Sequence, residues 1–198
     1  MFSRRSFFLI PRHFDVQDCI FTNAICTLAE LRESQEIELM EPKIISKKAF
    51  PVIGIELKTT TREGKNFVEI PQFWQQVIQK GQIKNIPNKK RPDTVLGICM
   101  DFRADGAFSY IIGSEVAHTD NVPDDMVSRE IPEANYAVFT ARGKMPDSIQ
   151  ATTKYIYQEW LPKSKYQHAH SPQFELYDER SDDSENAEVD IYIPIVSS

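Results

Sequence analysis

The chain has 198 residues, of which 41% are hydrophobic and 26% are charged, a composition ordinary for a globular protein. Its formal net charge of −6 argues against the basic footprint of proteins that bind nucleic acid directly. The three cysteines lack a Cys-x-x-Cys spacing, and their odd number argues against a disulfide framework. We therefore expect one large domain or two small ones, with reduced thiols.

The first residues resemble a signal peptide only briefly. The apolar run over residues 7–10 is interrupted by Pro11, which leaves it short of the ~7–15 residues that a signal peptide requires. No later segment approaches the ~20 apolar residues of a membrane span. These patterns predict a cytoplasmic protein without a membrane association.

Residues 15–38 carry apolar side chains at helical spacing, which predicts an amphipathic helix. Its stripe comprises Val16, Ile20, Ala24, Leu28 and Leu31. Residues 1–40 are therefore predicted to form an N-terminal helical appendage. It could be an oligomerisation helix, a linker from a neighbouring domain or sequence upstream of a natural start at Met40. It is too short for a complete helix-turn-helix domain, so direct binding to nucleic acid is not expected.

Residues 41–198 are predicted to form the main domain, which opens with two strands and a helix. The strands are expected at residues 43–46 and 52–58. Pro71 suits the first position of a helix, because that position needs no backbone N–H. Gly81 suits the residue just after the helix.

A hairpin completes this first unit of strand, helix, strand and strand. Residues 94–102 and 107–116 are apolar and rich in β-branched side chains, and Asp105-Gly106 between them is a turn signal. The preceding helix has an apolar stripe made of Phe73, Trp74, Val77 and Ile78.

The second unit repeats this order. Residues 135–141 are predicted to form a strand, Pro146 to open a helix and Pro162 to close it. A final hairpin is expected from residues 172–178 and 188–195, joined by an acidic, Ser-rich loop.

Aligning the two units places Gly97 against Glu175 and Tyr110 against Tyr192. Duplicated βαββ units usually join into one sheet about a pseudo-twofold axis. The prediction is thus an α+β fold with one antiparallel sheet, two helices on one face and a central ligand cleft on the other. Gly97 would leave space opposite Glu175, which favours a ligand over a filled core.

The segment around Glu175 is the strongest candidate for a site. In an extended strand, Phe174 and Leu176 share one face while Glu175 and Tyr177 share the other. If the Phe174 face packs on the helices, Glu175 and Tyr177 line the cleft. A carboxylate beside an aromatic ring would attract a cationic or hydrogen-bond-donating apolar ligand.

Several short motifs follow one another in a specific order over residues 41–196. They are Leu-Gly-Ile-Cys-Met-Asp-Phe with Gly97 and Asp101, Phe108-Ser-Tyr-Ile-Ile-Gly, Ile131-Pro132, Tyr136-Ala-Val-Phe with Gly143, Tyr157-Gln-Glu-Trp-Leu-Pro162, Phe174-Glu-Leu-Tyr and Ile191-Tyr-Ile-Pro194. In this order the sequence resembles the GyrI-like small-molecule-binding family, the effector-binding domain also found in AraC- and MerR-type transcription regulators.

The resemblance implies a cleft between two βαββ units, with an acidic residue of the second unit facing cationic or aromatic organic ligands. Glu175 matches that acid. Regulators of this kind carry a DNA-binding domain, and none is visible here, so the chain looks like a stand-alone member. The fold also resembles that of SOUL haem-binding proteins, but His168 and His170 lie in a polar loop, and no cofactor is expected.

Three functions are compatible with these patterns. The first is non-catalytic binding of an amphipathic small molecule, with contacts from Glu175, Tyr177, Tyr110, Tyr192, Trp74 and Gly97. The second follows stand-alone relatives that hydrolyse electrophilic compounds, with Glu175 as general base and Tyr177 or Tyr192 as proton donor. The third is a protein-interaction module acting on DNA gyrase or a regulator through the acidic loop 182–188. The four histidines are scattered, and no metal site is predicted.

Overall fold

The computed structural model describes residues 40–183 and 185–197. These residues form an α+β fold with one nine-stranded antiparallel sheet and two main helices, which confirms the predicted fold class. The helix predicted over residues 15–38 lies outside the described residues. The division at residue 40 therefore stays a prediction.

The elements follow in an order that contains both predicted units. The strands are β1 (Lys43–Lys47), β2 (Phe50–Thr60), β3 (Val95–Met100), β4 (Ala107–Glu115), β5 (Val127–Ile131), β6 (Ala134–Arg142), β7 (Tyr166–His168), β8 (Gln173–Tyr177) and β9 (Glu188–Ser197). The helices are α1 (Lys65–Gln79) and α2 (Asp147–Tyr155), and α2 continues through a π-helical turn (Ile156–Trp160) into a last turn (Leu161–Lys163). Strands β5 and β7 are absent from the sequence prediction, because β5 is largely polar and β7 has three residues.

The sheet is symmetric in its strand order, β1-β6-β9-β8-β3-β4-β2-β5, with β7 paired to β9. Strands β3 and β8 join the two halves at the centre. The first unit is β2-α1-β3-β4 and the second is β6-α2-β8-β9. The strand that precedes each unit pairs with the other unit, β1 with β6 and β5 with β2. Because of this exchange, strand pairing links the two halves at both edges of the sheet.

Helix α1 starts six residues before the predicted position. Pro71 lies inside the helix rather than at its first position. Because proline has no backbone N–H, the carbonyl of Phe67 receives no helical hydrogen bond from it. Gly81 follows the helix with a left-handed φ of 65° and donates its N–H to the Ile78 carbonyl at 3.0 Å, as expected of a helix end.

The helices cover one face of the sheet. Val77 of α1 packs in a cluster with Ile53, Ile55 and Ile112, and Ile156 after α2 packs with Phe139. All of these side chains are buried. The two helices thus lie side by side over the two halves of one sheet.

The face without helices is filled by aromatic side chains, which corrects the expected position of the cleft. Phe174 stacks on Tyr192 with ring centroids 4.4 Å apart and meets Tyr136 at 5.4 Å. It also meets Phe50, from the other half of the sheet, at 5.9 Å. This contact shows that the sheet curves round the Phe174 face. Phe174 and Leu176 therefore pack away from the helices, and Glu175 and Tyr177 point towards them.

We predict that Gly54→Ala destabilises the fold by about 1–3 kcal/mol through overpacking. Gly54 lies opposite Gly113, and a methyl group at residue 54 would lie 2.4 Å from the Ile112 carbonyl oxygen. Because that contact is with backbone, the sheet would have to shift. Urea denaturation measures the effect, and Lys58→Ala, at an exposed position of the same strand, is the control expected to stay within about 0.5 kcal/mol of the parent. Equal stability of the two variants would contradict this account.

Candidate functional site

A cavity of about 580 Å³ lies between the helix-bearing face of the sheet and the two helices. This volume suits a drug-sized ligand. The sheet contributes Val95, Gly97, Cys99, Phe108, Tyr110, Gln173, Glu175, Tyr177 and Ile191. Helix α1 contributes Asn66, Phe67, Ile70, Pro71, Trp74 and Ile78, and the start of α2 contributes Met145, Pro146, Ile149, Gln150 and Thr153. The walls are therefore largely apolar and aromatic.

The carboxylate of Glu175 accepts hydrogen bonds from two tyrosines. Tyr177 donates its O–H to Glu175 Oε2 at 2.9 Å, and Tyr110 donates to the same oxygen at 3.1 Å. Trp74 of α1 donates its indole N–H to the Tyr110 hydroxyl at 2.9 Å and packs against the Tyr177 ring, with centroids 4.9 Å apart. One hydrogen-bonded chain thus links helix α1 to the central strand pair.

Gly97 makes this arrangement possible. It lies directly opposite Glu175 in the β3–β8 register. A Cβ atom at residue 97 would lie 2.3 Å from the Tyr110 hydroxyl oxygen and 2.8 Å from Glu175 Oε2. The space above Gly97 is therefore occupied by the hydroxyl and the carboxylate. This corrects the expectation that it is empty.

Burial governs the electrostatics of the site. It raises the pKa of the Glu175 carboxyl above its usual value, although the hydrogen bonds from Tyr177 and Tyr110 act in the opposite direction. Burial also raises the pKa of both tyrosines well above the usual range, so both phenols stay protonated donors. The pKa of the Cys99 thiol is raised for the same reason, so this thiol stays neutral.

Glu175 has no opposite charge beside it in the cavity wall. Among the described residues that line the cavity, it is the one Asp, Glu, Lys, Arg or His. The protein groups that contact its carboxylate are neutral phenols. A negative charge in an apolar cavity is best neutralised by a cation or by a proton.

The structure brings five of the six predicted site residues to this cavity. They are Glu175, Tyr177, Tyr110, Trp74 and Gly97. Whether they contact a ligand stays a prediction.

Tyr192 is the exception, and its expected place in the cleft is corrected. It lies opposite Phe174 in the β8–β9 register, so it shares the face of Phe174. Its neighbour Ile191 lies opposite Glu175 and lines the cavity. Gly97 pairs with Ile112 and Glu175 with Ile191, so Tyr110 corresponds to Val189. The alignment of the two units was therefore three residues out in this strand, and an odd error turns a side chain to the other face. Tyr192 cannot donate a proton beside Glu175.

Sequence reasoning missed several residues of the cavity wall. They include three carboxamide side chains, those of Asn66 on α1, Gln150 on α2 and Gln173 on β8. Gln173 is held by the Tyr157 hydroxyl, which donates to its Oε1. Asn66, Ile70, Trp74 and Ile78 recur every four residues, a signal visible in the sequence once the helix is extended back through Pro71.

Residues 40–183 and 185–197 contain no group of three His, Cys, Asp or Glu side chains that could hold a metal ion. Within the same residues, no helix has the length and hydrophobicity needed to cross a membrane.

Comparison with known proteins identifies the family. Residues 43–195 match the model of the integron-associated effector binding protein family, Cass2. The chain belongs to this family. The match includes both βαββ units and the whole cavity, and it confirms the resemblance to effector-binding domains.

The chain is similar to a transcriptional regulator and to solved structures that share its fold. The transcriptional regulator BrlR of Pseudomonas aeruginosa is 32% identical over 173 residues, which cover 86% of this chain and 60% of BrlR. The chain thus spans less than two thirds of that regulator. The structure of SAV2435 bound to tetraphenylphosphonium superposes with a TM-score of 0.70 at 22% identity, over 79% of this chain and 94% of that one. An integron cassette protein of Vibrio cholerae gives a TM-score of 0.57 at 18% identity, over 79% and 96% of the chains. These two structures share the fold.

We predict that Glu175→Gln stabilises the folded protein at neutral pH and that the gain disappears in acid. Because the folded-state pKa of Glu175 lies above the ordinary 4.5, ionisation disfavours the folded state. The gain is therefore absent below about pH 4 and grows as pH rises from the unfolded-state pKa through the folded-state pKa. It amounts to about 1.4 kcal/mol per unit of pKa difference.

Urea denaturation of both proteins across about pH 4 to 7 measures this gain. Glu130→Gln, at an exposed position of β5, is the control substitution and should follow the parent at every pH. A gain for Glu175→Gln that stays constant with pH, or that shrinks as pH rises, would refute the assigned direction.

Proposed function

We propose that the cavity binds a lipophilic organic cation and that Glu175 is its counter-ion. The observation that carries this proposal is a carboxylate surrounded by neutral aromatic and apolar groups. A cation placed beside it would replace water as the source of stabilisation. An anion would meet the Glu175 charge without a compensating Lys, Arg or His among the described lining residues.

The aromatic residues favour a diffuse positive charge over a compact one. Trp74 and Tyr177 present adjacent rings beside the carboxylate. Aromatic faces attract cations by about 0.5–2 kcal/mol, most strongly where water is excluded. The apolar surface of Ile70, Ile78 and Ile149 would cover the hydrophobic part of such a ligand. A small hydrated ion would gain nothing from these walls.

The relatives support the same class of ligand. SAV2435, which shares the fold, has been solved with tetraphenylphosphonium bound, a large cation of diffuse charge. BrlR is a transcriptional regulator. On this basis we place the chain in the cytoplasm as a ligand-binding component linked to transcriptional regulation or to sequestration of toxic cations.

Calorimetric titration with tetraphenylphosphonium tests the proposal. The parent chain is expected to bind it, and Glu175→Gln is expected to weaken binding at least tenfold, about 1.4 kcal/mol. Tyr192→Phe should bind as the parent does, since Tyr192 lies on the other face of the sheet.

Tetraphenylborate supplies the control for charge, because it has nearly the same shape and the opposite sign. It should bind far more weakly than tetraphenylphosphonium. Glu175→Gln should reduce the difference in affinity between the two ions. Equal affinity of the parent for the two ions, or no effect of Glu175→Gln, would contradict the proposal.

A further inference from the structure

Helix α1 turns one stripe of side chains towards the cavity. Asn66, Ile70, Trp74 and Ile78 follow one another at intervals of four residues, and all four line the cavity. Trp74 hydrogen-bonds to Tyr110 and so belongs to the Glu175 network. Asn66 is the other polar member of the stripe, and it lies at the N-terminal end of the stripe.

The side chain of Asn66 is buried without a hydrogen-bond partner in the described residues. Asn66 is 7% exposed, and its Oδ1 is buried with no donor in reach. Although Asn66 stands in the first turn of α1, no side chain caps the start of that helix. A carboxamide offers two donors and one acceptor. Asn66 is a residue of the cavity wall, and its amide has neither a capping hydrogen bond nor one to a packed neighbour, so a ligand donor that reaches Oδ1 would supply the missing bond.

The position of Asn66 separates it from the charged end of the cavity. Trp74 follows Asn66 by eight positions along α1, which separates the two backbone positions by roughly 12 Å at 1.5 Å per residue. The Glu175 carboxylate lies near Trp74, and the Asn66 amide lies about two helical turns away along α1. The residues of α1 that line the cavity between Asn66 and Trp74 are apolar, with Ile70 at the midpoint.

We propose that Asn66 is a specificity residue that hydrogen-bonds a neutral polar group of the ligand. The ligand class is then an amphipathic cation that carries, apart from its positive centre, a hydroxyl or amide N–H group able to donate to Asn66 Oδ1. This inference rests on the proposed function, because it assumes that the cation lies beside Glu175. Specificity arises because an analogue without the polar group leaves the buried amide unpaired.

A matched pair of cations tests the inference. Triphenylphosphonium carrying an ω-hydroxyoctyl chain and triphenylphosphonium carrying a nonyl chain differ by a hydroxyl in place of a methyl group. The measured quantity is the ratio of their dissociation constants in each protein, obtained by calorimetry. In Asn66→Leu, which replaces the amide with an apolar group of similar size, the relative preference for the hydroxyl compound should fall at least fivefold.

Glu175→Gln separates the inference from the proposed function. It should weaken the binding of both cations by a similar factor and leave the ratio of their dissociation constants as in the parent. If neither cation binds the parent, or if Glu175→Gln has no effect on either, the proposed function fails. If both cations bind and need Glu175 but their ratio is the same in Asn66→Leu, the inference about Asn66 alone is overturned.

The thermal midpoint of unfolding distinguishes recognition from a structural role of Asn66. Removing an unpaired buried amide should leave the midpoint of Asn66→Leu equal to or above that of the parent. A lower midpoint, together with an equal loss of affinity for both cations, would assign Asn66 a structural role and overturn the inference. Asn66→Ala provides the same ratio if the leucine variant does not fold.

Discussion

The hydrogen bonds that two phenols donate to the Glu175 carboxylate in an apolar cavity are the interaction on which the site depends. One of its oxygens accepts hydrogen bonds from both Tyr110 and Tyr177. Those bonds fix the carboxylate but do not neutralise it, and burial keeps its pKa above the usual value. Ionisation of this carboxyl in the folded chain is therefore poorly solvated, and this is the condition that makes a lipophilic cation a favourable ligand.

The symmetry of the fold explains why this charge lies where it does. The β3–β8 pair is the junction of two similar units, and it places Gly97 directly opposite Glu175. Each unit covers its half of the sheet with one helix, so the space over the junction is flanked by both helices. The second unit supplies the acid, and the first supplies Tyr110 and Trp74 across the junction. A site built from both units needs the whole fold to be in place.

Much of this architecture could be predicted from the sequence, and the errors have identifiable physical causes. Hydrophobic periodicity and turn residues gave the two βαββ units, and aligning the units placed Gly97 opposite Glu175. Tyr192 was misplaced because strand side chains alternate, so the three-residue error in register, like any odd error, reverses the face. Pro71 was placed at the start of α1 because proline favours that position. The predicted helix therefore did not include Asn66. The curvature of the sheet, which brings Phe50 to Phe174, decides which face of strand β8 points towards the helices. This contact is long-range, and no local pattern encodes it.

The release of protons on ligand binding tests the central claim most directly. A cation beside Glu175 favours the ionised carboxylate, so binding should lower its pKa and expel a proton at a pH where the free protein is partly protonated. Titrating tetraphenylphosphonium at successive pH values upward from the ordinary pKa of 4.5, in buffers with different enthalpies of ionisation, measures the number of protons released. The account predicts net proton release that disappears in Glu175→Gln. Binding with no proton release across that range, or with equal release in Glu175→Gln, would contradict it.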